Sequence, residues 1–155
     1  MTSSPAHSYA SEYPAGVDFD PEYKKFFEDF YKTSDTPDVH DDYVQNFTKT
    51  ATLIRASHPA KGHDGASPSI LAMRKAQWER IQSMVHKPVK VFPAGNNANE
   101  CMLRGNVEFA LRDGRVSSLD WAANAHLVKE DGRVKMEYYQ VFLDTGAPIR
   151  QPASL

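Results

Sequence analysis

The chain has 155 residues, enough for one domain around one core, and its 41% hydrophobic and 25% charged residues are ordinary for a water-soluble globular protein. A formal net charge of −2, with the basic residues scattered, argues against bulk attraction to nucleic acid. A single cysteine, Cys101, excludes an internal disulfide and argues against a cysteine-based zinc site.

The first residues, MTSSPAHSYASEYPAG, have neither the basic start nor the apolar centre of a secretory signal, and no apolar run reaches membrane-spanning length. The expectation is a cytoplasmic protein with no membrane and no nucleic-acid partner. Residues 1–17 lack periodicity and read as a mobile N-terminal arm. Residues 146–155 read as a similar tail, leaving 18–145 as the folded domain.

Three pairs, Asp20-Pro21, Thr36-Pro37 and Ser67-Pro68, each set a capping side chain before a proline that needs no N–H partner in the first turn. The first predicted helix carries Tyr23, Phe26, Phe27 and Phe30 on one side. The second aligns Val39, Tyr43 and Phe47. The third, over 68–84, aligns Ile70, Met73, Trp78 and Ile81. Each has an apolar stripe to bury.

Between the second and third helices, residues 51–55 read as a short strand. Residues 89–92, bracketed by Pro88 and Pro93, suit an edge strand. Three longer segments follow, 100–112, 115–130 and 133–144, divided by Asp113-Gly114 and Asp131-Gly132, which are hairpin signals. The order gives an α+β fold, with three N-terminal helices packed on a curved antiparallel sheet.

With this element order, the glycine-containing link Lys61-Gly62-His63-Asp64-Gly65, and the phrase Glu130-Asp131-Gly132-Arg133-Val134 leading into an aromatic strand that ends at Asp144, the chain resembles a SnoaL-like member of the NTF2-like superfamily. The resemblance implies a cone-shaped α+β barrel with a pocket in its wide end, and a homodimer formed through the outer face of the sheet. Relatives of this kind include polyketide cyclases, ketosteroid isomerases, dehydratases, limonene epoxide hydrolases and non-catalytic adaptors, so the fold leaves the activity open.

Facing residues can be assigned from a two-residue Asp131-Gly132 turn. Leu127 then opposes Met136, Ala125 opposes Tyr138, Ala123 opposes Gln140 and Trp121 opposes Phe142. This side is nearly all apolar and is expected to face the helices, with Tyr138 and Gln140 as its polar groups. The other side holds Asn124, His126, Glu137 and Tyr139, with His126 paired to Glu137 on an outer surface. In the preceding hairpin a tight Asp113-Gly114 turn would oppose Asn106 to Trp121 and Arg104 to Ala123, whereas a bulge, the preferred reading for a bent sheet, would oppose Val107 to Trp121 and gather Leu103, Val107, Phe109 and Leu119 beside it.

The candidate ligand-binding residues are therefore Trp121, Tyr138, Gln140, Phe142 and Val107 from the sheet, with Tyr43 and Trp78 from the helices. That face offers no carboxylate for acid–base work. Of the other histidines, His58, His63 and His86 fall in connecting segments, with His63-Asp64 set near the pocket mouth. No cofactor and no metal is expected. Two readings stay open. One is a binding protein for a small organic ligand with a mainly apolar cavity, acting on a secondary metabolite as a cyclase, isomerase or dehydratase would. The other is a non-catalytic dimeric interaction module that uses the outer sheet face.

Overall fold

The structure, a computed structural model, describes residues 6–65 and 68–146. The elements run α1 (Pro21–Asp35), α2 (His40–Val44), β1 (Phe47–Arg55), β2 (His58–Lys61), α3 (Ile70–Arg80), β3 (Ile81–Pro93), β4 (Glu100–Leu111), β5 (Val116–Glu130) and β6 (Arg133–Phe142). The six strands form one sheet in the order β2-β1-β6-β5-β4-β3. The expected α+β class holds, but the sheet is mixed rather than antiparallel, because β1 runs parallel to β6. Two of the three helices are substantial, with 15 residues in α1 and 11 in α3, whereas α2 is a five-residue turn.

Helix α1 starts as its sequence dictates. The Asp20 carboxylate accepts from the Glu22 N–H at 2.8 Å, Pro21 occupies the first turn, and Phe26, Phe27, Phe30 and Tyr31 form the buried stripe. The other two predicted starts differ. Thr36 closes α1 instead of opening α2, its hydroxyl donating to the Lys32 carbonyl at 2.8 Å. Ser67 lies outside the described residues, and α3 is capped by Ser69, which accepts from the Ala72 N–H at 3.1 Å.

The third helix is also shorter than its periodicity predicts. Ile81 is already extended, and β3 runs from there to Pro93 along the sheet edge. Ile81 and Met84 are buried from a strand, as is Phe47, the first residue of β1. Pro88 sits where the β3–β4 register shifts, so the missing N–H costs no regular ladder bond. The segment set apart as an arm, 1–17, is described from residue 6. Glu12 brackets the free edge of β3, donating to Val89 O at 2.9 Å and accepting from the Val91 N–H at 3.0 Å. Residues 1–5 of that arm and 147–155 of the tail lie outside the described residues.

One register feature decides which side chains face the helices. From Glu130↔Arg133 to Leu127↔Met136 the β5–β6 hairpin pairs as the Asp131-Gly132 turn predicts. A bulge at Glu137 then shifts the pairing to His126↔Tyr138, Ala125↔Tyr139 and Ala123↔Val141. Beyond it, Tyr139 and Val141 face inward, whereas Tyr138, Gln140 and Phe142 turn to the opposite side. In the β4–β5 hairpin, Gly105 opposes Trp121 and Val107 opposes Leu119. These pairs are two residues from the expected ones, so the face is preserved: Leu103, Val107 and Leu119 are buried on the Trp121 side.

Candidate functional site

A cavity of about 560 Å³ lies between the helices and the inner face of the sheet. Its size falls within the range of about 300–1,000 Å³ common for small-molecule sites. Phe30, Leu53, Val107, Leu119 and Trp121 give it a mainly apolar wall. Of the candidates named from sequence, Trp121, Tyr43 and Val107 line this cavity. Trp78 is buried but stands behind the wall, where the Arg74 guanidinium stacks on its ring at 4.9 Å.

Tyr138, Gln140 and Phe142 are corrections: none reaches the cavity. The Tyr138 hydroxyl donates to Gln140 Oε1 at 2.7 Å on the far side of the sheet, and Phe142 is 47% exposed. The Glu137 bulge is the cause, since one inserted residue exchanges the faces of everything after it. His126 lies on the outer side, as expected. Its ring neighbours are Tyr138, at 5.1 Å between centroids, and Glu100, at 3.2 Å from Nε2, instead of Glu137. His63 is tied to the Phe47 carbonyl at 2.6 Å.

The inward turn of β6 brings a different polar set into the cavity. Tyr139 Oη lies 2.8 Å from Tyr31 Oη of α1, both hydroxyls being buried. Two phenols sharing one hydrogen bond use one O–H proton between them and leave the second to donate elsewhere. Burial pushes both groups well above the ordinary tyrosine range, so both stay protonated donors.

Beside them stands His86 of β3, a histidine that the sequence reading left in a connecting segment. Its Nδ1 lies 2.6 Å from Asp35 Oδ1, and its backbone N–H donates to Asp35 Oδ2 at 2.7 Å. Tyr9 adds a third bond, its hydroxyl donating to Oδ2 at 2.9 Å. The side-chain exposure of Asp35 is 6%, and that of His86 is 18%. Because a carboxylate only accepts, this arrangement places a ring proton on Nδ1, so that in the neutral ring Nε2 is the lone-pair acceptor. Nε2 has no hydrogen bond among the described residues, and His86 lines the cavity.

The rings of Tyr31, His86 and Trp121 form a triangle with centroid separations of 5.2, 5.3 and 6.0 Å. The indole Nε1 of Trp121 is buried without a hydrogen-bond partner among the described residues. One mainly apolar cavity thus brings together His86 and a buried phenolic pair.

Arg74 fixes the end of α1 that carries Asp35. Although only 2% exposed, it donates to the carbonyls of Ser34 and Thr36, each at 2.6 Å, and its guanidinium lies 4.7 Å from the Tyr43 ring centroid. These are the carbonyls that a helix C-terminus leaves without internal partners, so the cation meets the negative end of the α1 dipole. Sequence reasoning missed Asp35 and His86 because they are 51 positions apart and neither lies on an apolar stripe. The one available signal was the alternation that continues through Met84 into residues 85–93.

Among the described residues no group of three or more His, Cys, Asp or Glu side chains is placed to hold a metal ion, and no helix is long and apolar enough to cross a membrane.

No protein-family profile matches the sequence, and no curated protein matches it either. Solved structures do. A protein with a ketosteroid isomerase-like fold from Catenulispora acidiphila, in complex with trimethylamine, superposes with a TM-score of 0.68 at 10% identity, covering 82% of this chain and 91% of that one. Nuclear transport factor 2 from Cryptosporidium parvum gives a TM-score of 0.64 at 15% identity, covering 83% and 100%. A protein provisionally named a scytalone dehydratase, from Novosphingobium aromaticivorans, gives 0.64 at 14% identity, covering 80% and 83%. The chain therefore has the NTF2-like fold, in agreement with the resemblance read from its sequence. At such identities the likeness speaks for the fold and not for an activity.

Proposed function

We propose that this chain is an acid–base enzyme that takes a proton from carbon in a small, mainly apolar molecule, the step shared by isomerase, dehydratase and cyclase chemistry. His86 Nε2 is the base, and Asp35 holds the ring in that tautomer and compensates the imidazolium as it forms. The free proton of the Tyr31–Tyr139 pair donates to the oxygen on which negative charge develops. The apolar wall excludes water and supplies contact area. The observation that carries this reading is the buried Asp35 carboxylate, 2.6 Å behind a histidine that faces an apolar cavity. The similar proteins holding trimethylamine or named for dehydration support a cone-like shell built around a small-molecule site.

The test uses a bicyclic aromatic ketone, tetralone, in deuterated buffer, with exchange of the protons next to its carbonyl followed by NMR. The protein is expected to accelerate exchange, and His86→Gln to remove roughly 10²–10⁴-fold of that acceleration. Exchange no faster than in buffer, or unchanged in His86→Gln, would refute the proposal.

The alternative reading, a dimer that works through its outer sheet face, draws on Met102 and Phe142, large apolar side chains 39% and 47% exposed on that face. As a non-catalytic module the chain would dimerise there without accelerating proton exchange, whereas the enzyme reading requires that exchange. Loss of dimer on Phe142→Asp in light scattering, with no proton exchange in either protein, would favour the interaction module; exchange by the parent would exclude it.

A further inference from the structure

The cavity wall is uneven in charge. Arg55, Arg74, Arg80, Arg115, His58 and His86 all line it, and among the described residues no aspartate or glutamate does. Two of the arginines are compensated: Arg74 by the carbonyls closing α1, and Arg115 by Asp113, with 2.7 Å between Nη2 and Oδ2. The guanidinium groups of Arg55 and Arg80 make neither a hydrogen bond nor an ion pair among the described residues. Arg80 is exposed at the end of α3, whereas Arg55 is half-buried at the end of β1. Burial lowers the pKa of Arg55, opposed by the neighbouring Tyr43 and reinforced by the Arg80 charge, the mark of a cation held out of water.

The strand pairing sets the depth of this cation. In the parallel β1–β6 ladder Arg55 pairs with Val141 and Leu53 with Tyr139. Arg55 is thus two residues, about 7 Å, further along the strands than the Tyr139–Tyr31 hydroxyl pair. That offset runs toward the end of the cavity where β3 begins and β4 finishes, the end lined by Ile81, Leu111 and Leu143. A ligand spanning from His86 to Arg55 would have its reacting part against the dyad and its far end at a guanidinium with unused donors.

Resting on the acid–base reading above, we propose that the substrate is a carboxylate: a mainly apolar, ring-sized body with one anionic group, bound by Arg55 with Arg80 at the rim. A guanidinium presents two parallel N–H donors that match a carboxylate. Arg55 is half-buried at this end, with Arg80 exposed at the rim, and its planar fork matches the two oxygens of one carboxylate.

The experiment measures binding of naphthoate, the neutral naphthamide of the same shape, and naphthyl phosphate by titration calorimetry. Naphthoate is expected to bind at least about tenfold more tightly than naphthamide, the worth of a charge-assisted hydrogen bond. Arg55→Gln is expected to abolish that preference, Arg55→Lys to keep part of it, and Arg104→Gln on the outer face to leave it unchanged. Near-UV circular dichroism checks that each variant keeps its fold.

Equal binding of acid and amide would overturn the proposal. So would a preference surviving in Arg55→Gln, tighter binding of naphthyl phosphate, or no binding of naphthoate at millimolar concentration. Its failure is separable from that of the acid–base reading. Loss of the carboxylate preference with His86-dependent exchange intact removes only the carboxylate subsite. The preference without exchange removes only the chemistry.

Discussion

Replacing Asp35 by asparagine tests the dyad without emptying the space it fills. The carboxylate accepts three hydrogen bonds: His86 Nδ1–H on Oδ1 at 2.6 Å, and the His86 backbone N–H and the Tyr9 hydroxyl on Oδ2 at 2.7 and 2.9 Å. In Asp35→Asn the amide oxygen can occupy the Oδ2 position and keep the last two as neutral bonds, each weaker by about 1 kcal/mol than its charge-assisted counterpart. The amide nitrogen then faces His86 Nδ1 and donates, which moves the ring proton to Nε2. The expected loss is about 2–3 kcal/mol in urea unfolding, together with reversal of the His86 tautomer in ¹⁵N NMR of the deprotonated ring. A proton on Nε2 also leaves the ring with no acceptor toward the cavity, so proton exchange should fall with the tautomer change. A variant within about 0.5 kcal/mol of the parent, with the proton still on Nδ1, would refute the assignment of Asp35 as the group that orients His86.

Two further expectations concern the frame around the site. Gly105 opposes Trp121, and a Cβ there would lie 2.7 Å from the indole Cζ2 and 2.6 Å from the Lys87 carbonyl, so Gly105→Ala should cost about 1–3 kcal/mol and lower Tm by roughly 2–12 °C in calorimetry. An unchanged Tm would mean that the indole yields without strain. Burial holds the hydroxyls of Tyr31, Tyr43 and Tyr139 above the ordinary tyrosine value near 10, so the folded chain keeps protons that the unfolded chain releases. Their contribution is complete below about pH 10 and is lost as pH rises toward the folded values, by up to about 1.4 kcal/mol per group per pH unit. Tyr31→Phe should flatten that decline in urea-unfolding series at alkaline pH, and an equal slope in both proteins would contradict it.

Local chemistry in the chain determined the parts that depend on neighbours in sequence. Asp20-Pro21 fixed the start of α1, the Phe26–Phe27–Phe30 stripe fixed its buried face, and Asp131-Gly132 fixed the first four pairs of the last hairpin. The Trp121 face of β5 was legible because alternation over a long strand leaves no other apolar set. Where the period changed the reading failed: α3 yields to β3 at Ile81, and Phe47 opens a strand instead of ending a helix.

The tertiary structure decided the site. A single bulge at Glu137 exchanged Tyr138 and Gln140 for Tyr139 and Val141, because a strand has a period of two and one added residue inverts all that follows. No local pattern marks such a bulge, although Val141 and Leu143 are the more apolar set when the strand is read backward from its end. The dyad lies still further from local rules. Asp35 closes a helix and His86 sits within an edge strand, and their meeting depends on α1 packing across β3. That packing is a long-range event, driven by burial of a whole helix face and carrying no signature at either residue.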